Sequence, residues 1–315
     1  MTGFLTRRIG QSILAVIGVT IIVFILIHML PGGPARAVLG GRATPIAVHQ
    51  FMVQNGYNRS LPVQYGVYVW RLLHGNFGYS YHYNQGVGSL IYQNLPKSAL
   101  LVGIAYAISV ALCVPMGIWQ AVRRNKFSDY ALTTASYIGY AMPTFWAGIL
   151  LITFFSIKLQ WFPSEGPQGA TVGSMIADPA ALVLPVATLV IVNLAMFSRF
   201  MRSSVVENLV EDYVRTARGK GVPERIVLFR HVLRNSLLPI ISLVGLSLPV
   251  ALSGAVVAEA VFNYPGMGLL FWTAAVKHDY PLLMGFTVVI GVATVTGSLL
   301  ADVCYAAVDP RVRHS

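Results

Sequence analysis

The sequence predicts an all-α, polytopic membrane protein with six transmembrane helices. Three observations carry this. The 315 residues are 56% hydrophobic and only 10% charged, whereas a soluble domain carries roughly 25% charged residues. Several apolar runs reach the roughly 20 residues a helix needs to cross about 30 Å of hydrocarbon, which favours helical spans over barrel strands. The positive charges also gather in the segments of one membrane face.

Taken in order, the spans fall at about Ile9 to Leu30, Ser98 to Val122, Tyr130 to Ile157, Ala181 to Phe200, Leu237 to Phe262 and Leu282 to Val308. The expected organisation is an N-terminal segment 1–8, a first span 9–30, a long extracytoplasmic segment 31–97, a core 98–308 with a charged loop 201–236, and a tail 309–315. The first span follows Arg7 and Arg8. It is too long, and too poor in a small-residue cleavage site, for a removable signal peptide, so a retained anchor is expected.

Orientation follows from the basic residues. One set of segments holds Arg7 and Arg8, then Arg123, Arg124 and Lys126, then eight Lys/Arg between Arg199 and Pro239, then Arg311 and Arg313. The other set holds only Arg36, Arg42, Arg59, Arg71, Lys97, Lys158 and Lys277, over more residues. The positive-inside rule then predicts that both termini are cytoplasmic. The net charge of +11 is thereby a membrane-topology feature, and no nucleic-acid partner is expected.

The segment 31–97 is rich in aromatic residues, and Leu61 to Leu73 reads as an amphipathic helix in the headgroup layer. It serves either as a plug or docking surface for an external partner, or as interfacial packing alone. The next outer loop, L-Q-W-F-P-S-E-G-P-Q-G, is a run of turn formers after Trp161 and Phe162. In F-N-Y-P-G-M-G and K-H-D-Y-P, residues Pro265, Gly266, Gly268 and Pro281 forbid a continuous helix. Such backbone at membrane depth is tolerated only against protein or a cavity. Pro115, Pro143, Pro185 and Pro249 punctuate the spans and suit helices that kink and pack closely.

Several chemistries are excluded. Intramembrane ionisable residues mark proton or ion coupling, yet His28, Glu259 and Asp302 lie near span ends, and Asn193 is the notable mid-span polar side chain. No phosphate-binding loop ending in Gly-Lys-Ser/Thr occurs, because Gly219-Lys220-Gly221 lacks both spacing and hydroxyl. There is no G-x-S-x-G and no H-E-x-x-H. Cys113 and Cys304 sit in apolar spans with no metal-ligand spacing. The chain is not expected to be an enzyme, nor to hold a metal or cofactor of its own; energy comes from a gradient or from another chain.

The stretch Arg199 to Pro239 reads as a helix-turn-helix hairpin. Leu209, Val210, Tyr213, Val214 and Ala217 recur on one helical face. Gly219 and Gly221 stop that helix, and Pro223 with Glu224 starts the next. The second helix places Ile226, Phe229 and Leu233 on one side and Arg230 and Arg234 on the other. Nucleic acid, acidic lipid or a cleft in a partner protein are all conceivable targets. Glu207, Glu211 and the glycine break favour a shaped surface over a polybasic tether.

The run Y-V-R-T-A-R-G-K-G followed by P-E-R-I-V-L-F-R-H-V-L-R-N-S-L-L-P resembles the coupling loop of permease subunits in bacterial peptide importers of the ATP-binding cassette class. The strings R-R-I-G, L-P-G-G-P, L-P-V-Q-Y, H-G-N-F-G-Y-S, M-P-T-F-W, W-F-P-S-E-G, F-N-Y-P-G-M-G, D-Y-P and D-P-R-V-R occur in that family's order along nearly the whole chain. The sequence departs from the general importer pattern where Arg215, Thr216 and Ala217 replace a Glu-Ala-Ala start, so a Glu-mediated contact is not carried over. It departs again where Gly33 replaces an Asp.

The resemblance implies a type I importer permease fold in a bacterial inner membrane. Its implied partners are a second homologous permease, two ATPase subunits that bind ATP and Mg, an extracytoplasmic binding protein, dipeptides or oligopeptides as substrate, and the lipid bilayer around the spans. The ATPase-docking residues it implies are Glu211, Tyr213, Arg215, Thr216, Ala217, Arg218, Gly221, Glu224, Arg225, Phe229 and Arg230. Candidates for the wall or gate of a substrate path are Asn193, Met196, Glu259, Tyr264, Pro265 and Gly266. Nickel, haem or glutathione remain alternative cargoes. A gradient-driven carrier or a membrane-anchored scaffold are the rivals from other classes.

Overall fold

The computed structural model describes residues 2–29, 35–36, 39, 43–80, 82–246 and 255–308. The expectations placed on Gly33, Pro249, Arg311 and Arg313 lie outside them. The described chain is helical apart from one two-stranded ribbon.

The first helix, α1 (Thr2–His28), is 27 residues long. The aromatic segment after it holds two helices. In α2 (Pro45–Gln54) the Thr44 hydroxyl accepts a hydrogen bond from the Ala47 amide and Pro45 occupies the first turn. The second, α3 (Leu61–Leu73), matches the amphipathic stretch read from the sequence. It is braced against α1: the Thr20 and Tyr65 hydroxyls lie 2.9 Å apart, and the His28 ring meets Gln64 Oε1 at 3.0 Å. Strands β1 (Tyr79–Ser80) and β2 (Gln85–Gly86) pair antiparallel, with Tyr79 opposite Gly86 and Ser80 opposite Gln85.

Helix α4 (Val87–Val122) has 36 residues. At 1.5 Å per residue it is about 54 Å long, longer than the hydrocarbon layer. Residues 87–97, assigned to the long outer segment in the sequence, form the first turns of this helix ahead of the span expected from Ser98. The next expected span is not straight. Helix α5 (Phe127–Ala141) ends at Met142, which is extended at φ −75°, ψ 121° because Pro143 follows it. Helix α6 (Thr144–Leu151) then continues as π-helical turns Ile152–Lys158, and the two halves are bent by 104°.

After the short α7 (Val172–Ile176) comes α8 (Pro179–Asn208), whose first turn is capped by the Asp178 carboxylate. It continues eight residues beyond the span end expected at Phe200. Helix α9 (Asp212–Gly219) is the first arm of the hairpin. The second arm, α10, begins at Glu224–Ile226, widens into π-helical turns at Val227–Val232 and continues at Leu233–Ser236. Helix α11 (Leu238–Leu246) follows. The last three are α12 (Val256–Val261), α13 (Met267–Lys277) and α14 (Tyr280–Val308). Prolines and glycines bracket α13, but an 11-residue helix between them was not foreseen.

Among the described residues four helices are long and apolar enough to cross a membrane, or five when the bent pair counts as one span. One of them, Glu224–Gly245, starts inside the expected hairpin, so the second arm and the fifth span are one path of chain.

Helices α4 and α8 form the central pair. A Cβ on Gly117 would fall 2.5 Å from Met201 Cγ, so only glycine permits that approach. Helix α5 packs on α8 through Gly139, where a Cβ would sit 3.2 Å from that of Ala195, and through the Ser136 and Ser198 hydroxyls 3.1 Å apart.

One ion pair locks the start of α5 to α8. Asp129, 1% exposed, accepts from Arg202 Nε and Nη2, both at 2.7 Å, and from the Asn125 amide at 3.1 Å. Arg202 keeps 28% of its side chain accessible, which screens the pair in part. Asp129→Ala is expected to cost about 2–3 kcal/mol, below the range for a fully buried broken pair. A drop in the melting temperature of the detergent-solubilised protein would register it.

Candidate functional site

The hairpin is seated at one end of the central helix pair. Val214, Ala217, Val227 and Val232 are buried together with Cys113, Ala121, Phe197, Met201, Val205 and Ile240. Its turn is fixed by backbone chemistry. The Gly221 amide donates to Arg218 O at 2.9 Å and the Val222 amide to Ala217 O at 3.2 Å, with Gly221 at φ +76°. This pair of bonds around a left-handed residue is the Schellman stop, and it is why a glycine stands there. Across the turn the Arg218 guanidinium meets Glu224 twice, at 2.6 and 3.1 Å, and that hydrogen-bonded contact raises the arginine pKa further. Asn208 joins the hairpin to α8: its Oδ1 accepts from the Tyr213 hydroxyl at 2.6 Å and its amide donates to Ser204 O at 2.8 Å.

The expected faces need two corrections. Val210 is 61% exposed, because Leu209 and Val210 form a turn between the helices. On α10 Val227 and Val232, five apart, are buried and Leu233 packs against the same core as expected, while Ile226 and Phe229 are 45% and 57% exposed. The π-helical turns cause this, since a wider turn puts residues i and i+5 on one side. Arg225, Ile226, Phe229 and Arg230 consequently line a shallow concavity of about 650 Å³.

The implied docking residues thus divide. Glu211, Arg215, Thr216, Arg218, Gly221, Glu224, Arg225, Phe229 and Arg230 are all exposed. Tyr213 is half-buried, and Ala217 faces the core, so Ala217 shapes the surface rather than forming it. Arg215 has only a weak local pair, Nη1 to Asp212 Oδ1 at 3.3 Å.

At the opposite end of the helices Glu259, Tyr264, Pro265 and Gly266, four of the six candidate gate residues, belong to a closed node. Glu259 is fully buried. Its Oε1 accepts from Ser98 Oγ at 2.6 Å and the Ala255 amide at 3.2 Å; its Oε2 accepts from the amides of Gly268 at 2.7 Å and Leu269 at 3.1 Å. A carboxylate at the first turn of α13 satisfies amides that have no helical partner. Ser98 Oγ in turn accepts from the Met267 amide at 2.7 Å. Side chains at Gly266 would strike Glu259 and Ser98, and at Gly268 would strike the Val256 backbone. Tyr264, also fully buried, donates its hydroxyl to Lys97 O at 2.7 Å, and the Gly166 amide donates to Phe262 O at 2.7 Å.

Glu259 and Tyr264 therefore line no open surface of this chain. Pro265 is half-buried and Gly266 buried within the same node. Asn193 and Met196 are half-buried on α8, away from it. The sequence reading missed Ser98, whose hydroxyl looks ordinary within an apolar run, and the Asp129–Arg202 lock. A lone acid at the start of a span was the available signal for the latter. Among the described residues no three His, Cys, Asp or Glu side chains group as metal ligands do.

An α-helical core with several spans apolar enough to cross a membrane, close-packed through glycines and carrying a two-helix surface hairpin, is the architecture of an integral membrane protein. Residues 113–314 match the family described as binding-protein-dependent transport system inner membrane component, and residues 1–102 match the N-terminal region described for such membrane components. The chain belongs to this family of inner membrane permease subunits, and it is a membrane subunit rather than an ATPase.

It is similar over its full length to the oligopeptide transport system permease protein AppB of Bacillus subtilis, at 37% identity with 100% of each chain covered. A protein of Brucella ovis whose name describes a peptide permease is 38% identical, with 99% of each covered. One of Sinorhizobium fredii whose name describes a peptide ABC transporter permease is 36% identical, again with 99% of each covered.

Proposed function

We propose that this chain is one permease half of an ATP-driven importer of dipeptides or oligopeptides. The observation that carries the reading is full-length similarity to proteins named as peptide permeases, together with a braced hairpin whose exposed side presents Arg225, Ile226, Phe229 and Arg230. In this reading both termini and the hairpin are cytoplasmic. The hairpin seats on one of two ATPase subunits, which bind ATP and Mg, while this chain holds no cofactor. A second homologous permease completes the pathway and an extracytoplasmic binding protein delivers the peptide.

Rigid-body movement of the ATPases would pass through the hairpin into α8 and α11, because Val214, Ala217 and Val227 share one core with Met201 and Ile240. Nickel, haem and glutathione are the alternative cargoes within the class. The test is purification of the tagged chain from its native membrane followed by reconstitution. The expected result is a complex with an ATP hydrolase that takes up peptide only with ATP and the binding protein present. An active lone chain, or uptake driven by an ion gradient alone, would refute the reading.

A further inference from the structure

We infer that Tyr213, Asn208 and Ser236 are positioning residues that clamp both hinges of the hairpin onto one backbone carbonyl, that of Ser204, and thereby set how much of an ATPase stroke reaches the spans. This rests on the importer reading above. The hairpin meets the spans at two places. Asn208 is the last residue of α8, and the turn at residues 209–211 leads from it into α9. Ser236 is the last residue of α10, and Leu237 alone separates it from α11. Pro239, the second residue of α11, has no N–H to bond back into α10. Short links between helices absorb rotation, so each junction is a hinge unless something braces it.

One atom braces both. The Ser204 carbonyl accepts from Asn208 Nδ2 at 2.8 Å and from Ser236 Oγ at 3.3 Å. Because a carbonyl can only accept, the Asn208 amide must point its NH2 there, and its Oδ1 is left to accept from the Tyr213 hydroxyl at 2.6 Å. The first arm of the hairpin is thus tied to α8 through two bonds in series, and the junction of the second arm through one. Ser204 and Ser236 are both buried, so these bonds lie out of reach of water.

Packing alone does not fix the hinges. The groups that α9 sinks into the core are Val214 and Ala217, small and apolar, and burial of such groups is favourable without being directional. A hydrogen bond weakens steeply as its angle departs from linear. The Tyr213 and Ser236 hydroxyls accordingly set the angle of each arm against α8. They do so without the exposed Arg225, Phe229 and Arg230, which take no part in the node. Tyr213, implied as a docking residue by resemblance, therefore has its hydroxyl committed inside the chain.

The experiment measures ATP hydrolysed per tripeptide imported by the assembled complex in vesicles, at equal hydrolase content. Tyr213→Phe keeps the ring and Ser236→Ala removes a single oxygen. Each is expected to raise the ratio about fivefold, the scale of one lost hydrogen bond, while the hydrolase co-purifies at wild-type level. Ser136→Ala removes a hydroxyl contact from the same α8 away from both hinges and is expected to keep the wild-type ratio. A wild-type ratio in Tyr213→Phe or in Ser236→Ala overturns the clamp. So does an equal rise in Ser136→Ala, which would trace the effect to a general loosening of α8. Loss of the hydrolase from Tyr213→Phe would make that hydroxyl a docking group, and failure of Ser236→Ala to insert would make the serine a folding residue; either result overturns the assignment. A wild-type complex that hydrolyses ATP but imports no peptide removes the importer reading itself, a different result from any of these.

Discussion

Glu259→Ala is expected to lower stability by about 3–5 kcal/mol, the scale of stripping a buried charge-assisted cluster of its acceptor. The carboxylate accepts four hydrogen bonds, from Ser98 Oγ and the amides of Ala255, Gly268 and Leu269, and is fully buried. Alanine leaves those donors without a partner at the first turn of α13. Glutamine does not rescue: both oxygens of Glu259 meet donors, so whichever way the amide turns, its NH2 faces an N–H or O–H. Both variants should therefore show a large loss of melting temperature in detergent, with glutamine nearly as damaged as alanine. Gly266→Ala should behave likewise, since its methyl group would occupy the space of the carboxylate. A wild-type melting temperature for Glu259→Ala would show that the node does not hold the helices together.

That result would also settle the meaning of the Y-P-G-M-G string. In the sequence its proline and glycines read as broken backbone lying against protein or a cavity, because punctuation tells where a helix stops but not what fills the space beside it. The glycines are in fact small because Glu259 and Val256 come up against them. The six apolar runs announced the helical class, and Leu61–Leu73 was legible as an amphipathic helix with the bounds the structure gives it. The 104° bend at Met142–Pro143 was half legible: Pro143 marked the break, but a bend angle is a tertiary property. The faces of the second hairpin arm were misread for one reason. A 3.6-residue period was applied where the chain adopts π-helical turns, and this moved Ile226 and Phe229 from the core to the surface. Long-range partners such as Ser98 with Glu259, or Asp129 with Arg202, have no local period to betray them.

Phe229→Asp is expected to abolish ATP-dependent uptake while the chain still inserts in the membrane at wild-type level. Phe229 is 57% exposed and makes the apolar floor of the concavity between Arg225 and Arg230. An aromatic side chain in such a place, ringed by arginine, has the character of an interface anchor, and losing one costs 2 kcal/mol or more, about thirtyfold in affinity. The ATP hydrolase should then fail to co-purify. Arg215→Glu should do less. That side chain is 71% exposed and its pair with Asp212 is loose at 3.3 Å, so its own contribution is at most about 1 kcal/mol. Two further variants separate the shape of the hairpin from its surface. Gly221→Val forces a β-branched residue to φ +76° and breaks the Schellman turn, while Ala217→Trp overfills the core under α9. Both leave Phe229 and its arginines in place, so the hydrolase should still bind while uptake falls at least about tenfold, because the seat can no longer pass movement to α8 and α11. If Phe229→Asp kept both the hydrolase and normal uptake, the concavity would not be the docking surface; if Gly221→Val lost the hydrolase outright, the turn would be part of the contact rather than its support.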